Sequence, residues 1–172
     1  QCREIVRKFN HIYGETLIEP QPVLSNTSRL KGLDGNEKMG KSLGNAIFLV
    51  DDDETISKKI MSAITDPAKI KKDDPANPEI CMVYYYHNLV TPEEEVKNVC
   101  SECKSGKRGC VSCKRELIKN MIEFLQPIRD KRKEYEDNPE LVKSILEDGT
   151  NHARKKATEV VKNVKKAMKI DY

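Results

Sequence analysis

Tryptophan is absent from this 172-residue chain, and aromatic residues make up only 5% of it. A core of stacked rings is thereby excluded, and packing must come from aliphatic side chains. No apolar run approaches the roughly 20 residues that span a bilayer, and no secretory leader is visible. The few histidines include His87 and His152, neither with a carboxylate or serine partner in view, so a nucleophilic triad has nothing to rest on. Charge of one sign is lacking as well: 31 basic against 28 acidic side chains leave +3, which selects no partner. These absences describe a soluble, helix-rich chain, expected to be cytoplasmic and to have no membrane contact. It starts at Gln1, without an initiator Met and in mid-helix pattern, and is expected to be part of a longer protein.

Cysteine, by contrast, is concentrated. Cys81, Cys100, Cys103, Cys110 and Cys113 fall within one short stretch, and the last three form a Cys-x6-Cys-x2-Cys array. Around that array runs a basic, glycine-containing segment, read as a loop, with Lys104, Lys107, Arg108, Lys114 and Arg115. Thiolates so spaced converge on one centre after a single chain reversal. In a lysine-rich chain without a leader, that favours a metal site over disulfides. Buried inert thiols are the plainer reading, but Gly106 and Gly109 beside them argue for a built turn. Cys2, on an apolar helix face, is expected to be core.

Periodicity predicts a first helix over residues 1–14, with Cys2, Ile5, Val6, Phe9 and Ile12 on one face and Gly14 ending it. Residues 15–31, with Pro20 and Pro22, read as extended chain with room for one strand. A glycine-rich loop follows over residues 32–45, then a short buried run, Ala46 to Leu49. From Asp51 onward the pattern is helical. Asp53 is predicted to cap a helix with Ile56, Ile60, Ala63 and Ile64 inward. Residues 68–75 read as a mobile linker, and Pro78 as the first residue of the next helix. Thr91 and Glu94 read as a capping box. A long amphipathic stretch from Lys114 to Tyr135 should kink at Pro127. Asn138-Pro139 opens a helix closed at Gly149, and a last helix runs from about Thr150 to Met168. In Tyr84-Tyr85-Tyr86-His87, successive tyrosines point in different directions, so core packing is favoured over a platform for stacked bases.

Lys38-Met39-Gly40-Lys41-Ser42 sets two lysines three apart in a glycine-flanked loop. Gly35, Gly40 and Gly44 permit positive φ and let amides approach phosphate oxygens. The lysines supply point charges for a leaving pyrophosphate. On spacing alone a lysine-bearing surface turn is the favoured reading. The continuation Leu43-Gly44-Asn45-Ala46-Ile47 extends the likeness: the string resembles the signature loop of class I aminoacyl-tRNA synthetases, and its tail resembles that of their tryptophanyl branch. Arg3 to Asn10 resembles the helix before that loop, and Gly149 to Met168 the C-terminal helix.

The resemblance implies a mainly α chain: residues 1–50 as the end of a Rossmann-like α/β catalytic domain, residues 51–172 as an α-helical anticodon-binding domain. It implies ATP, with Mg²⁺, at Lys38, Met39, Gly40, Lys41 and Ser42. Lys38 and Lys41 take the catalytic role, and Gly40 replaces a serine while leaving its amide to phosphate. It also implies tryptophan and tRNA(Trp) as partners of the full enzyme, and a homodimer. The other ATP motif of the family, a His-Ile-Gly-His type, does not occur here, so the chain alone is expected to be inactive. Two metal-ligand sets remain. Cys100, Cys103, Cys110 and Cys113 suit tetrahedral Zn²⁺. Cys81, Cys103, Cys110 and Cys113 resemble the set by which some bacterial members of the branch bind a [4Fe–4S] cluster, one residue shorter between the first two. Such a cluster would present Lys104, Lys107 and Arg108 toward RNA. A rival reading is a non-catalytic, zinc-stabilised RNA-binding module.

Overall fold

The computed structural model describes residues 1–25, 27 and 29–170. Six α-helices account for most of the described residues, and no strand occurs among them: α1 (Cys2–Tyr13), α2 (Asp53–Ser62), α3 (Met82–Val90), α4 (Glu93–Lys104), α5 (Cys110–Glu136) and α6 (Pro139–Ala167). Two short 3₁₀ turns, Lys41–Leu43 and Pro78–Ile80, punctuate the connections. The chain is thus mainly α, as its periodicity predicts. The strand allowed for residues 15–31 does not form among the described residues. Instead Asn10 folds the chain back on α1. Its Oδ1 accepts the amides of Thr16 and Leu17 at 3.1 and 3.0 Å, and its Nδ2 donates to the Leu17 carbonyl at 2.7 Å. These bonds occupy the backbone groups a strand would need. No described helix is long and apolar enough to cross a membrane.

The chain divides into two compact units, Gln1–Asn26 with Glu134–Tyr172, and Thr27–Lys133. The first contains α1 and α6, neither of which buries any residue. Cys2, expected in a core, is exposed. The two helices expected on either side of Gly149 are one continuous helix, opened by Asn138, whose Oδ1 accepts the Leu141 amide at 3.1 Å. Glycine lowers helix propensity by about 1 kcal/mol against alanine. That is a cost one residue in a 29-residue helix can carry.

The second unit holds the core. Ile56 and Ile60 of α2, Val83 and His87 of α3, Val99 of α4 and Leu117 of α5 are all under 2% exposed. Met121 and Leu125 extend the core along α5. Each such aliphatic side chain contributes about 1.5–3 kcal/mol by leaving water. The predicted face of α2 is therefore correct except for Ile64, which is 46% exposed because the helix ends at Ser62. Its cap is Asp52, not Asp53: the Asp52 carboxylate accepts the Thr55 amide at 2.7 Å, and Asp53 instead pairs with Arg129 at 2.7 Å. α4 has Pro92 at its N-cap position and no capping box, because the Thr91 hydroxyl is used elsewhere. α5 continues through Pro127, an exposed position where water can take the carbonyl that proline leaves unbonded.

The segment expected to be mobile, 68–75, is held at both ends. Buried Asp66 accepts the amides of Ala68 and Asn77 at 2.8 and 2.7 Å, and Asp74 accepts those of Lys71 and Ile70 at 2.6 and 3.2 Å.

Gly149→Ala is expected to raise stability. No atom lies within 4 Å of the added methyl and the glycine has no positive φ. A gain of about 0.4–1 kcal/mol, read from reversible unfolding followed by helical circular dichroism, is the expected outcome. A loss of stability would mean the helix is not continuous there.

Candidate functional site

The lysine loop is shaped by one buried amide. Asn45 is only 4% exposed. Its Oδ1 accepts the Gly40 amide at 2.9 Å, while its Nδ2 donates to Asp34 Oδ1 at 2.9 Å and to the Lys38 carbonyl at 3.2 Å. Asp34 in turn accepts both the amide and the side-chain NH₂ of Asn36. These bonds, first that from Asn45, hold the Asp34 carboxyl below its ordinary range. Gly32 is required by close approach: a Cβ there would meet Asn45 Nδ2 at 2.1 Å. Gly35 and Gly44 supply positive φ, at 82° and 66°. Gly40 does not: its φ of −150° is extended. Its amide is also occupied by Asn45, so it is not left for phosphate as the resemblance implied.

The loop rests on the helical core of its own unit. The Leu33 amide donates to the Asn45 carbonyl at 3.0 Å, and the Leu33 carbonyl accepts the Ile64 amide at 2.9 Å. The hydroxyl of buried Tyr86 donates to the Lys31 carbonyl, and that of Tyr85 to the Arg29 carbonyl at 3.0 Å. The tyrosines are thus structural anchors, as their periodicity favoured. Met39 packs against the core and points its neighbours outward. Lys38, Lys41 and Ser42 are exposed. Among the described residues neither lysine is engaged by a carboxylate. Two unpaired ammonium groups on a backbone locked by hydrogen bonds can receive a polyphosphate without first breaking an ion pair.

The cysteine segment folds differently from the predicted loop. Cys103 lies on α4, Cys110 and Cys113 lie one turn apart at the start of α5, and only residues 105–109 are non-helical. Cys81 precedes α3. Burial raises the Cys113 thiol to about 12, with Cys81 and Cys103 near enough to push it further and Arg108 opposing them. Burial likewise raises Cys103, aided by Cys81 and Cys110, and raises Cys81, aided by Cys110. The four thiols are therefore electrostatic neighbours. Cys100 also raises Cys103, and burial followed by the hydrogen bond that the Tyr84 hydroxyl donates to Cys100 raises Tyr84, which places that thiol against the tyrosine. No disulfide forms. Among the described residues no three Cys, His, Asp or Glu side chains close on a point that would hold a single metal ion.

Three features of this region were not predicted. Gly106, with φ +75°, lets the turn approach the Asp73 carbonyl, which a Cβ would meet at 2.2 Å. Arg108, assigned to RNA, is turned inward. Burial works against its charge, but Glu116 at 2.5 Å outweighs it, Glu102 lies at 2.8 Å, and the side chain is 14% exposed. Lys104 and Lys107 remain exposed. Finally, His87 has partners after all. Its Nε2 lies 3.2 Å from the Cys113 carbonyl and 3.5 Å from the Cys113 sulfur. A carbonyl only accepts, so Nε2 carries the proton. Nδ1 then accepts from the Thr91 hydroxyl at 2.8 Å, and that oxygen accepts from Asn120 Nδ2 at 2.9 Å. Burial lowers His87 below its ordinary value, consistent with a neutral ring. The four-residue spacing of His87 and Thr91 on one helix was the available signal.

The family model described as tRNA synthetases class I (W and Y) matches residues 2–126. The chain is 44% identical over 169 residues to a tryptophan–tRNA ligase of Aquifex aeolicus, covering 98% of this chain and 42% of that protein. It is also 44% identical over 179 aligned positions to one of Streptococcus mutans, covering 100% and 53%. Among solved structures it resembles a tryptophanyl-tRNA synthetase of Campylobacter jejuni complexed with ADP and tryptophan, with a TM-score of 0.77, 28% identity, and coverage of 96% of this chain and 51% of that one. The chain spans about half the length of the relatives it matches.

Proposed function

Because the chain belongs to the tRNA synthetases of class I (W and Y), we propose that it is the C-terminal part of a tryptophan–tRNA ligase, which activates tryptophan with ATP and transfers it to tRNA(Trp). The observation that carries this reading is the pair of exposed, unpaired lysines on a loop locked by Asn45. In activation, a tryptophan carboxylate oxygen bonds to the α-phosphorus of ATP as the bond to the pyrophosphate oxygen breaks. Negative charge grows on the departing pyrophosphate. Lys38 and Lys41 meet that charge, while Met39 buries the loop's other side and fixes their direction. Mg²⁺, when bound with ATP, neutralises further phosphate charge. Residues 1–50 would close the catalytic domain and residues 51–172 form the anticodon-binding domain of a cytoplasmic homodimer.

For the cysteines, the reading is a [4Fe–4S] cluster held by Cys81, Cys103, Cys110 and Cys113. What supports it is that these four thiols, distant in sequence, influence one another across the fold. When bound, the cluster would tie the start of α3 and the end of α4 to the start of α5. Its thiols must lose their protons first, and the raised Cys113 is the most reluctant. The Zn²⁺ set would substitute Cys100, which also acts on Cys103 and lies against Tyr84.

Lys41→Ala in the full-length protein is expected to slow adenylate formation by about 10²-fold or more, with tryptophan binding little changed. Single-turnover kinetics separate the two effects. An unchanged activation rate with weaker ATP binding would restrict the lysine to the ground state. Cys81→Ser is expected to abolish the brown colour and acid-labile sulfide of anaerobically purified protein, whereas Cys100→Ser preserves both. Zinc bound tightly in iron-replete protein, lost with Cys100→Ser and kept with Cys81→Ser, would overturn the ligand assignment.

A further inference from the structure

The ordered segment after α2 and the start of α5 enclose a groove of about 490 Å³ that the catalytic loop leaves unused. Its rim carries Lys69, Lys71, Lys72 and Arg115, and its apolar surface Ile70 and Val111; no carboxylate lines it among the described residues. Ile70 is 87% exposed and Val111 51%. Neither Asp73, which follows Lys72, nor Asp74 lines the groove, and the Asp74 carboxylate accepts the amides of Ile70 and Lys71. That bonding bends the segment so that consecutive lysines face one groove. Lys69 is anchored, its Nζ donating to the Asp74 carbonyl. Lys72 lies across Gly109, where an added Cβ would meet its Cγ at 3.3 Å. Among the described residues Lys71, Lys72 and Arg115 form no ion pair or side-chain hydrogen bond, so their charges are not already spent.

We infer that this groove is a binding site for the RNA sugar–phosphate backbone, seating one nucleotide on Ile70 and Val111 while Lys71, Lys72 and Arg115 neutralise flanking phosphates. The inference rests on the tRNA reading above and moves the RNA contact from Arg108 to this groove. The chemistry is selective in kind. Cations without interspersed acids recognise a polyanion, and exposed aliphatic side chains between them offer a surface to an unstacked base face rather than to a hydrated anion. The site is two-sided. The lysines belong to the 68–75 segment and Arg115 to α5, and the Gly106–Asp73 approach holds the two together. Because Cys110 also lines the groove, the geometry of the cysteine turn and that of the RNA site are linked.

The test is binding of a tRNA(Trp) transcript to the full-length protein, followed by fluorescence anisotropy from about 50 to 200 mM salt. The triple variant Lys71→Ala/Lys72→Ala/Arg115→Ala is compared with a control of equal charge change on α6, Lys155→Ala/Lys162→Ala/Lys165→Ala. The groove variant is expected to bind at least about tenfold more weakly. Its log–log salt slope should fall by about two, at roughly 0.7 per phosphate lost. The control should keep both values. The charge-preserving variant Lys71→Arg/Lys72→Arg/Arg115→Lys should retain most of the affinity, and circular dichroism of all three should match the parent, since the substituted side chains are exposed. Equal losses in groove and control variants, or no loss in either, would overturn the groove while leaving tRNA binding intact. Absence of tRNA binding by the unaltered full-length protein would instead overturn the tRNA reading, and the groove with it.

Discussion

The buried side-chain amide of Asn45 is the constraint on which the phosphate loop depends. A buried amide costs about 1–3 kcal/mol when its hydrogen bonds are missing, and here the Gly40 amide, the Lys38 carbonyl and Asp34 satisfy it. To meet those partners the backbone from residue 32 to 45 must close on itself. Gly32 must then lack a side chain, and Gly35 and Gly44 must take positive φ. The lysines are outside because the amide is inside. The same constraint explains why a glycine at position 40 is tolerated: its amide serves the loop itself, and its extended φ asks nothing special of it.

A second polar chain does comparable service below the loop. Asn120 of α5, Thr91 at the end of α3 and His87 within α3 pass hydrogen bonds to the Cys113 carbonyl and sulfur at the start of α5. With His87 fully buried, the chain fixes the roll of α5 against α3 and so the direction of the thiols. Its pH sense follows from burial. The folded ring protonates less readily than the unfolded one, so this contribution is complete above the ordinary histidine range and declines as pH falls through it. The loop and the cysteine turn share one core, since Leu33 and Cys113 belong to the same buried cluster.

Much of the helical fold was legible because it follows from periodicity. The faces of α2 and α5 that pack are those with aliphatic side chains three and four apart, and Asn77 and Asn138 each begin a helical segment with proline behind them. Boundaries were less legible. Asp52 and Asp53 are equivalent as letters, and only the position of Arg129, distant in sequence, decides which one caps. Gly149 read as a break because its local cost was weighed without the long helix that absorbs it. The cysteine segment read as loop because glycines and charges dominate it, yet α5 begins at Cys110 itself. In the candidate sites, Lys38 and Lys41 were visible in the sequence. Asn45 and the inward turn of Arg108 were not, because each depends on a partner brought near only by the fold: Asp34 for one, Glu102 and Glu116 for the other.

The central claim is that a preorganised loop, rather than lysine charge alone, equips the chain for phosphate chemistry. Single-turnover adenylate formation by the full-length protein bearing Asn45→Ala tests it most directly, because both lysines remain. The account predicts a rate lower by about 10²-fold, with tryptophan binding preserved as the sign of an intact fold. An activation rate equal to that of the unaltered protein would contradict it.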